Sequence, residues 1–365
     1  MPACARSCSD GRNRAEIHSR RVAIPFGTAI RGIRYGDECA FIKSMRLRPP
    51  GRDSAGLSPS VGLLLLSALW AATSLRTELF PAFGTDGLPP ALRQAVLFFV
   101  FAAVAGSLSV ARGIEFPRGR QAWACVGIGF GLFVVPAALL ASAQDWLSTL
   151  DRVALFSLTP VFAVVLEPYL QDGEPRQGRA ALAGALAAVA GILLLLPFDL
   201  PGSFRAVAAL CALLAAALDI AATNCLAVRL AHNLSGSTLP MAAQASAGAA
   251  GSFAAVAALA PHSAWRWSAL PFQFFWIFVV DVPALFLLFW LMRRMAASRM
   301  TARFLLAPLF TILAGLTLES SSPPLRSWLG MGLLAGGAGW LAFAPADLEP
   351  RNAITMDSSH RPPPC

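Results

Sequence analysis

The chain has 365 residues, of which 56% are hydrophobic and 13% charged, and its mean hydropathy is +0.61. Soluble domains carry about 25% charged residues, so this sequence lacks the polar surface that a soluble protein of this size needs. The net charge of +9 does not indicate a nucleic-acid partner, because eleven of the 29 Lys and Arg residues precede residue 59 and most others lie in short loops. We therefore predict an integral membrane protein in contact with lipid.

The first 56 residues are polar and rich in Arg, and they lack a sustained hydrophobic period. This composition predicts a disordered basic tail, and it contains no apolar run of the kind that a secretory signal peptide requires. Translation from Met45 rather than Met1 is an open alternative, because the segment after Met45 leads directly into the first apolar run. Cys4 and Cys8 alone are too few ligands for a zinc site, and we predict neither a metal nor a cofactor.

Ten apolar segments follow the tail, each close to the length of about 20 residues that crosses a bilayer as a helix. Hydrocarbon offers no hydrogen-bond partners to the backbone, so these segments are predicted to be helices and the fold class is an all-α polytopic membrane protein. The predicted spans are residues 60–82, 89–111, 121–142, 150–170, 180–199, 205–230, 237–260, 270–292, 301–319 and 325–344.

Two stretches, residues 157–197 and 305–345, share one pattern of a proline-containing run followed by a run with two glycines seven residues apart. The corresponding residues are Pro160 and Pro308, Phe162 and Phe310, Gly184 and Gly330, and Gly191 and Gly337. We therefore divide the chain into two related halves, 57–199 and 200–345, followed by a tail at 346–365. Because five spans is an odd number, the second half must enter the bilayer from the opposite face, which predicts a 5+5 inverted repeat of the kind found in secondary transporters.

These repeated stretches resemble the EamA-type domain of the drug/metabolite transporter superfamily. In that family a half-repeat ends with a Pro-x-Phe helix, an acidic loop residue and a glycine-spaced last helix; the matching acids here are Glu174 and Glu319. Trp70 and Arg93 stand where the family carries a Trp near the middle of its first helix and an Arg at the start of its second. The resemblance covers roughly residues 57 to 345 and implies a permease for a small metabolite or drug-like molecule.

Arginine placement predicts the orientation of the spans. Even-numbered connections carry ten Arg residues and odd-numbered ones five, and the tail adds its basic residues to the even-numbered side. The ten are Arg112, Arg118, Arg120, Arg176, Arg179, Arg229, Arg293, Arg294, Arg299 and Arg303. Positive charge favours the cytoplasmic side, so we expect both termini in the cytoplasm and the protein in the cell (inner) membrane.

Two carboxylates fall near the middle of predicted spans, where a charge costs roughly 2.5–3.5 kcal/mol to insert. Asp219 lies in the sixth span, with Thr223 one turn later and Asn224 beside it, and Asp281 lies in the eighth span just before Pro283. Each acid either couples transport to protons or cations, contacts a cationic substrate, or only locks helices together. The two acids could share one cavity between the halves.

Further polar and aromatic residues within spans carry two interpretations each. Arg76 pairs with one of the acids across helices or lies near the interface, and Gln244 is a pocket group or a link between helices. Trp70 and Trp276 are mid-span and either line a pocket or pack in the core.

Proline and glycine mark the helices that bend or pack closely. Pro160 and Pro308 are predicted to break their helices and, with Pro283, to free backbone groups near the substrate. Small residues crowd 181–191, 241–252 and 329–339, which predicts close helix packing. The glycines at 127, 129 and 131 are interpreted in the same way rather than as a dinucleotide fingerprint.

The sequence predicts a permease that moves a small molecule across the membrane. Coupling of this transport to protons is an alternative that the sequence leaves open. It is not predicted to be an enzyme, because no hydrolytic or redox constellation appears and none of the four His residues lies mid-membrane. Two alternatives stay open: a multi-span membrane enzyme acting on lipid-linked substrates, and a non-transporting membrane protein of the same fold. A homodimer also stays open.

Overall fold

The computed structural model describes residues 57–79, 89–170, 179–195, 203–234, 236–259, 270–318 and 324–343, all within one compact unit, Leu57–Cys365. It gives the backbone alone for residues 76–79, 150, 270 and 317–318. The predicted basic tail, the C-terminal tail, Glu174 and Glu319 lie outside the described residues, and so does the side chain of Arg76.

Every regular element in these ranges is helical. In chain order the helices are α1 (Pro59–Leu79), α2 (Pro90–Ala111), α3 (Arg120–Ala143), α4 (Thr149–Phe156), α5 (Thr159–Leu170), α6 (Arg179–Leu195), α7 (Phe204–Asn233), α8 (Leu239–Ala258), α9 (Pro271–Met292), α10 (Ala297–Thr301), α11 (Arg303–Leu318) and α12 (Leu325–Phe343). A π-helical turn interrupts α3 at Phe130–Val134 and α9 at Ile277–Asp281.

Six helical segments in the described ranges are long and apolar enough to cross a membrane. They are α2, α3, α7, α9, and the two composite segments Asp151–Leu170 and Ala297–Leu316. Shorter apolar helices occur at Pro59–Leu75 and Arg179–Leu195. Large apolar side chains, such as Phe99, Trp123 and Phe204, are exposed on the outside of the bundle. The protein is therefore an integral membrane protein whose outer surface matches lipid rather than water.

The two most extensive helix interfaces join α2 to α8 and α6 to α12. Glycine permits the second of these, because a Cβ on Gly191 would lie 2.6 Å from the Gly330 carbonyl oxygen, and a Cβ on Gly337 would lie 2.5 Å from the Gly184 carbonyl oxygen. The glycines seven apart thus form one antiparallel contact, and the small-residue faces at 181–191 and 329–339 pack on each other.

The glycine run in α3 also serves helix packing. A Cβ on Gly129 would clash with the carbonyl of Ala245 in α8, and a Cβ on Gly131 would lie 2.7 Å from Thr223 Oγ1 in α7. A Cβ on Gly127 would meet no described atom within 4 Å. Two of the three glycines therefore bring α3 close to α7 and α8.

The helix interruptions do not all fall where the prolines predicted. The chain leaves helical geometry at Ser157–Leu158, directly before Pro160, but α11 continues through Pro308 and the interruption lies at Ala302 instead. The expected break at Pro308 is wrong, because an isolated proline removes one backbone hydrogen bond without ending a helix whose neighbours hold it.

The break at Ala302 is stabilised from outside the helix. Glu167 at the end of α5 accepts a hydrogen bond from the backbone N–H of Ser298 (3.3 Å), which satisfies a free donor at the start of α10. Arg229 of α7 donates to the carbonyl of Leu170 (3.3 Å) at the end of α5. These contacts link the end of α5 to α10 and to α7.

Candidate functional site

A charged side chain lies buried where three helices meet. Arg303 is the first residue of α11, immediately after the break at Ala302, and only 1% of its surface is exposed. Arginine placement predicts Arg303 as a loop charge on the cytoplasmic side, and the structure shows that this prediction is wrong. The buried guanidinium contributes nothing to the positive charge of a loop.

The guanidinium is held by one side chain and one carbonyl. Its Nη2 donates to Asn224 Oδ1 of α7 (3.1 Å), and its Nη1 donates to the carbonyl of Met300 (3.4 Å). Asn224 Nδ2 in turn donates to the carbonyl of Ile220 (2.7 Å). Because the Asn224 amide nitrogen is bonded to Ile220, the Asn224 amide oxygen faces Arg303 and accepts its hydrogen bond.

Aromatic rings cover the same guanidinium. Arg303 Cζ lies 4.9 Å from the ring centroid of Trp70 in α1 and 4.8 Å from that of Phe304. The two rings contact each other edge to face at 5.6 Å. Such cation–π contacts are worth about 2 kcal/mol each when desolvated, which offsets part of the cost of burying the charge. We call Arg303, Asn224, Trp70 and Phe304 the arginine cluster.

The arginine cluster contains no negative charge. The contacts of Arg303 with described residues are those given above, and none of them is a carboxylate. Its Nε has no hydrogen-bond partner there either. A buried cation and a buried donor are therefore both left uncompensated within this part of the chain.

Asp281 links α9 to α1. It is the last residue of the π-helical turn, and its Oδ1 accepts a hydrogen bond from Thr73 Oγ1 at 3.4 Å. Pro283 follows two residues later, where the α-helix resumes. Proline has no backbone N–H, so Pro283 cannot donate a hydrogen bond within the helix.

Asp219 lies on α7, one helical turn before Thr223. Thr223 faces Gly131 in the π-helical turn of α3. The carboxylate oxygen Oδ2 of Asp219 is buried without a described hydrogen-bond partner. One π-helical turn therefore contains Asp281, and the other faces the residue one turn after Asp219.

The structure separates residues that the sequence analysis considered together. Asp281 is bonded to α1, whereas Asp219 lies one turn before Thr223, which faces α3, and no hydrogen bond in the described ranges joins the two acids. Gln244 donates from Nε2 to the carbonyl of Pro117 (2.9 Å), which links α8 to the loop between α2 and α3. Trp276 is buried beside Phe272, with ring centroids 6.3 Å apart.

Arg303 and Gln273 are large buried polar residues that the sequence did not predict to be buried. Arg303 falls inside the predicted span 301–319, so its position within the span was the available signal. Gln273 is 1% exposed, and neither its amide nitrogen nor its amide oxygen has a described partner. It lies one turn before Trp276 in α9. A polar residue within an apolar span was again the only indication of its burial.

Comparison with known proteins identifies the fold alone. No family model matches the chain, and no curated protein matches it. Among solved structures, 26 chains match. One of them, described as "Crystal structure of protein", has a TM-score of 0.64 and 20% sequence identity, covering 80% of this chain and 100% of that chain. At this identity the likeness concerns the arrangement of the helices and not the activity.

Proposed function

We propose that the chain is a secondary transporter of the EamA type that carries a small molecule across the membrane. The observation that carries this proposal is the arginine cluster, which lies where α1, α7 and α11 meet. These are the first, sixth and ninth of the predicted spans, so both predicted halves contribute to it. In transporters built from inverted repeats, the substrate binds near mid-membrane at the contact between the repeats.

The pattern of helix contacts supports a 5+5 inverted repeat. The two largest interfaces, α2–α8 and α6–α12, each join a predicted span to its counterpart in the other half. The contact of α5 with α7 joins the fourth and sixth predicted spans, and the contact of α11 with α1 joins the ninth and first. Exchanging the two halves converts the first of these pairs into the second. A two-fold relation between the halves produces this reciprocity, and an unrelated set of helices has no reason to show it.

The irregular turns support the same proposal. Each π-helical turn lies in the third span of a proposed half and is followed by Val-Pro, at Pro136 in α3 and at Pro283 in α9. π-helical turns are uncommon and occur frequently at functional sites. One of these turns contains Asp281, and the other faces Thr223, one helical turn after Asp219.

The proposed mechanism is alternating access. The halves rock against each other around the arginine cluster, so the substrate site opens to one side of the membrane at a time. The surroundings of Asp281 and Asp219 would change during this motion, because Asp281 is bonded to α1 of the opposite half and Thr223, one turn after Asp219, faces α3 of the opposite half. Their protonation can then be coupled to the motion, and both termini would face the cytoplasm of an inner-membrane protein.

Counterflow in proteoliposomes tests this proposal. Purified protein is reconstituted into liposomes that are loaded with a mixture of unlabelled metabolites, and the uptake of each labelled metabolite is followed. We expect transient accumulation of at least one labelled solute above its equilibrium level, which only a carrier produces. Liposomes without protein and liposomes with heat-inactivated protein are the controls. Absence of counterflow for every solute, with folded protein in the bilayer, would refute the transporter proposal.

A further inference from the structure

We propose that the arginine cluster binds an oxyanion, so that the transported molecule is a small organic carboxylate or phosphate held by the guanidinium of Arg303. This inference rests on the proposed transport function, and it adds the chemical class of the substrate. It is carried by the burial of Arg303, by its unpartnered Nε and by the absence of a carboxylate among its described contacts.

A comparison with the neighbouring arginine shows that the missing counter-charge is local. Arg299 lies one helical turn earlier and interacts electrostatically with Glu167, whose carboxylate also caps α10. Arg303 has no such neighbour in the described part of the chain. Burying an unpaired ion costs several kcal/mol, so a negative charge from outside the described residues is expected at Arg303. A bound anion supplies that charge, and its release restores the unpaired state.

The backbone increases the positive potential at this position. Arg303 begins α11, a helix of 16 residues, and the amino end of a helix carries a partial positive charge. A cation placed at the amino end of a helix is unfavourable by itself, whereas an anion there is stabilised by both the guanidinium and the helix end. The position therefore discriminates against cationic ligands and favours anionic ones.

The geometry leaves the edge of the guanidinium for the ligand. Trp70 and Phe304 cover Arg303 with their rings, and each terminal nitrogen makes one hydrogen bond while Nε makes none. Most of the N–H donors lie in the plane of the group and still need an acceptor. A carboxylate or phosphate can accept two parallel hydrogen bonds along such an edge, a geometry that a lysine ammonium does not offer.

Access to this edge depends on the two halves. Trp70 belongs to α1 and Arg303 to α11, and these helices pack against each other. Arg303 is closed off from solvent in this structure. Separation of α1 from α11 would uncover the guanidinium, which connects anion binding to the rocking motion of the proposed transport cycle.

Thermal stability in a phosphate-free maltoside detergent tests the anion site directly. The melting temperature is measured with added inorganic phosphate, benzoate, benzamide or benzylamine, at constant ionic strength set with sodium chloride. We expect phosphate or benzoate to raise it by at least about 3 °C, since a ligand that binds only the folded protein stabilises it. The neutral benzamide and the cationic benzylamine should leave it unchanged. Equal effects of benzoate and benzamide, or no effect of either anion, would refute the anion site.

Variants locate the effect at Arg303. Arg303→Met keeps the apolar stem and removes the charge, so stabilisation by the anion should be lost, and Arg303→Lys should retain a weaker part of it. Arg294 provides the matched control, because its Cζ also stacks on a tryptophan, Trp290, at 4.8 Å but lies exposed at the surface. Arg294→Met should respond to anions as the unchanged protein does. An Arg303→Met protein that is stabilised as strongly as the unchanged protein would place the anion elsewhere.

The same probes separate this inference from the transport proposal. If the anion stabilises the protein through Arg303 but no solute shows counterflow, the anion site stands and the transport function is wrong. If counterflow occurs for neutral or cationic solutes and neither phosphate nor benzoate inhibits it, transport stands and the anion site is wrong. Inhibition of counterflow by one anion and not the other identifies phosphate or carboxylate as the recognised group.

Discussion

Replacing Gly337 by alanine tests whether the α6–α12 contact holds the bundle together. A Cβ at this position would lie 2.5 Å from both the backbone nitrogen of Ala188 and the carbonyl oxygen of Gly184. Carbon and oxygen atoms ordinarily approach to about 3.3–3.6 Å at the closest helix contacts. Neither obstructing atom belongs to a flexible side chain, so the helices must separate by about 1 Å.

The expected cost follows from that separation. A gap of about 0.5–1 Å forfeits a quarter to a half of the dispersion energy of each affected contact. Overpacking of a tight interface costs about 1–3 kcal/mol. Gly336 is the matched control, because a Cβ there meets no described atom within 4 Å and the intrinsic effect of alanine on the helix is common to both variants. We expect Gly337→Ala to be about 1–3 kcal/mol less stable than Gly336→Ala.

A thiol-reactive fluorescent dye can report this difference. Of the cysteines in the described ranges, Cys125 and Cys225 are buried and react on unfolding, whereas Cys211 is exposed and contributes to the initial signal, which is common to both variants. A change of 1 kcal/mol shifts the melting temperature by about 2–4 °C in domains of roughly 150–250 residues, and by less in longer chains. Gly337→Ala should therefore melt several degrees below Gly336→Ala. Equal melting temperatures for the two variants would refute the close backbone contact between α6 and α12.

Three further predictions concern topology, coupling and a loop. A reporter active only in the cytoplasm should be silent after Thr85 and active after residue 345; activity at Thr85 would contradict the inverted repeat. Asp219→Asn or Asp281→Asn should abolish pH-driven uptake and leave substrate exchange intact, whereas full uptake by the double variant would leave a facilitator. Gln244→Leu removes the N–H donor to the Pro117 carbonyl, so we expect the free energy of unfolding to fall by about 1–3 kcal/mol. An unchanged melting temperature would contradict this expectation.

The positions of the helices could be predicted from the sequence because lipid imposes a strong rule. Backbone groups in hydrocarbon must be bonded within the segment, so an apolar run of sufficient length is a helix. Glycines seven residues apart likewise indicate one face of a helix that another backbone can approach. The sequence could not say which helix approaches, because the pattern describes one surface and not its partner. The pairing of Gly191 with Gly330 required the structure.

Helix boundaries and buried polar contacts were harder to predict. Arg303 lies two residues inside the edge of a predicted span, and patterns locate such edges only to within a few residues. An arginine at an edge is ordinarily a loop charge, so the positive-inside count included it. The contact of Glu167 with the start of α10, just before the interruption at Ala302, joins residues 131 positions apart, which no local pattern contains.

The proposed repeat also explains why the charge at Arg303 points to a ligand. The match of Pro160 with Pro308 makes Leu155 the counterpart of Arg303, since each lies five positions before its proline. Leu155 is buried in α4, so one half fills the position with an apolar side chain at no electrostatic cost. A guanidinium is therefore not required to fold a half of this kind, and replacing buried ionic groups by apolar ones is often neutral or stabilising. The charge is present in one half only, beside aromatic residues and an unmatched donor, and binding of an anion gives it a function that helix packing does not.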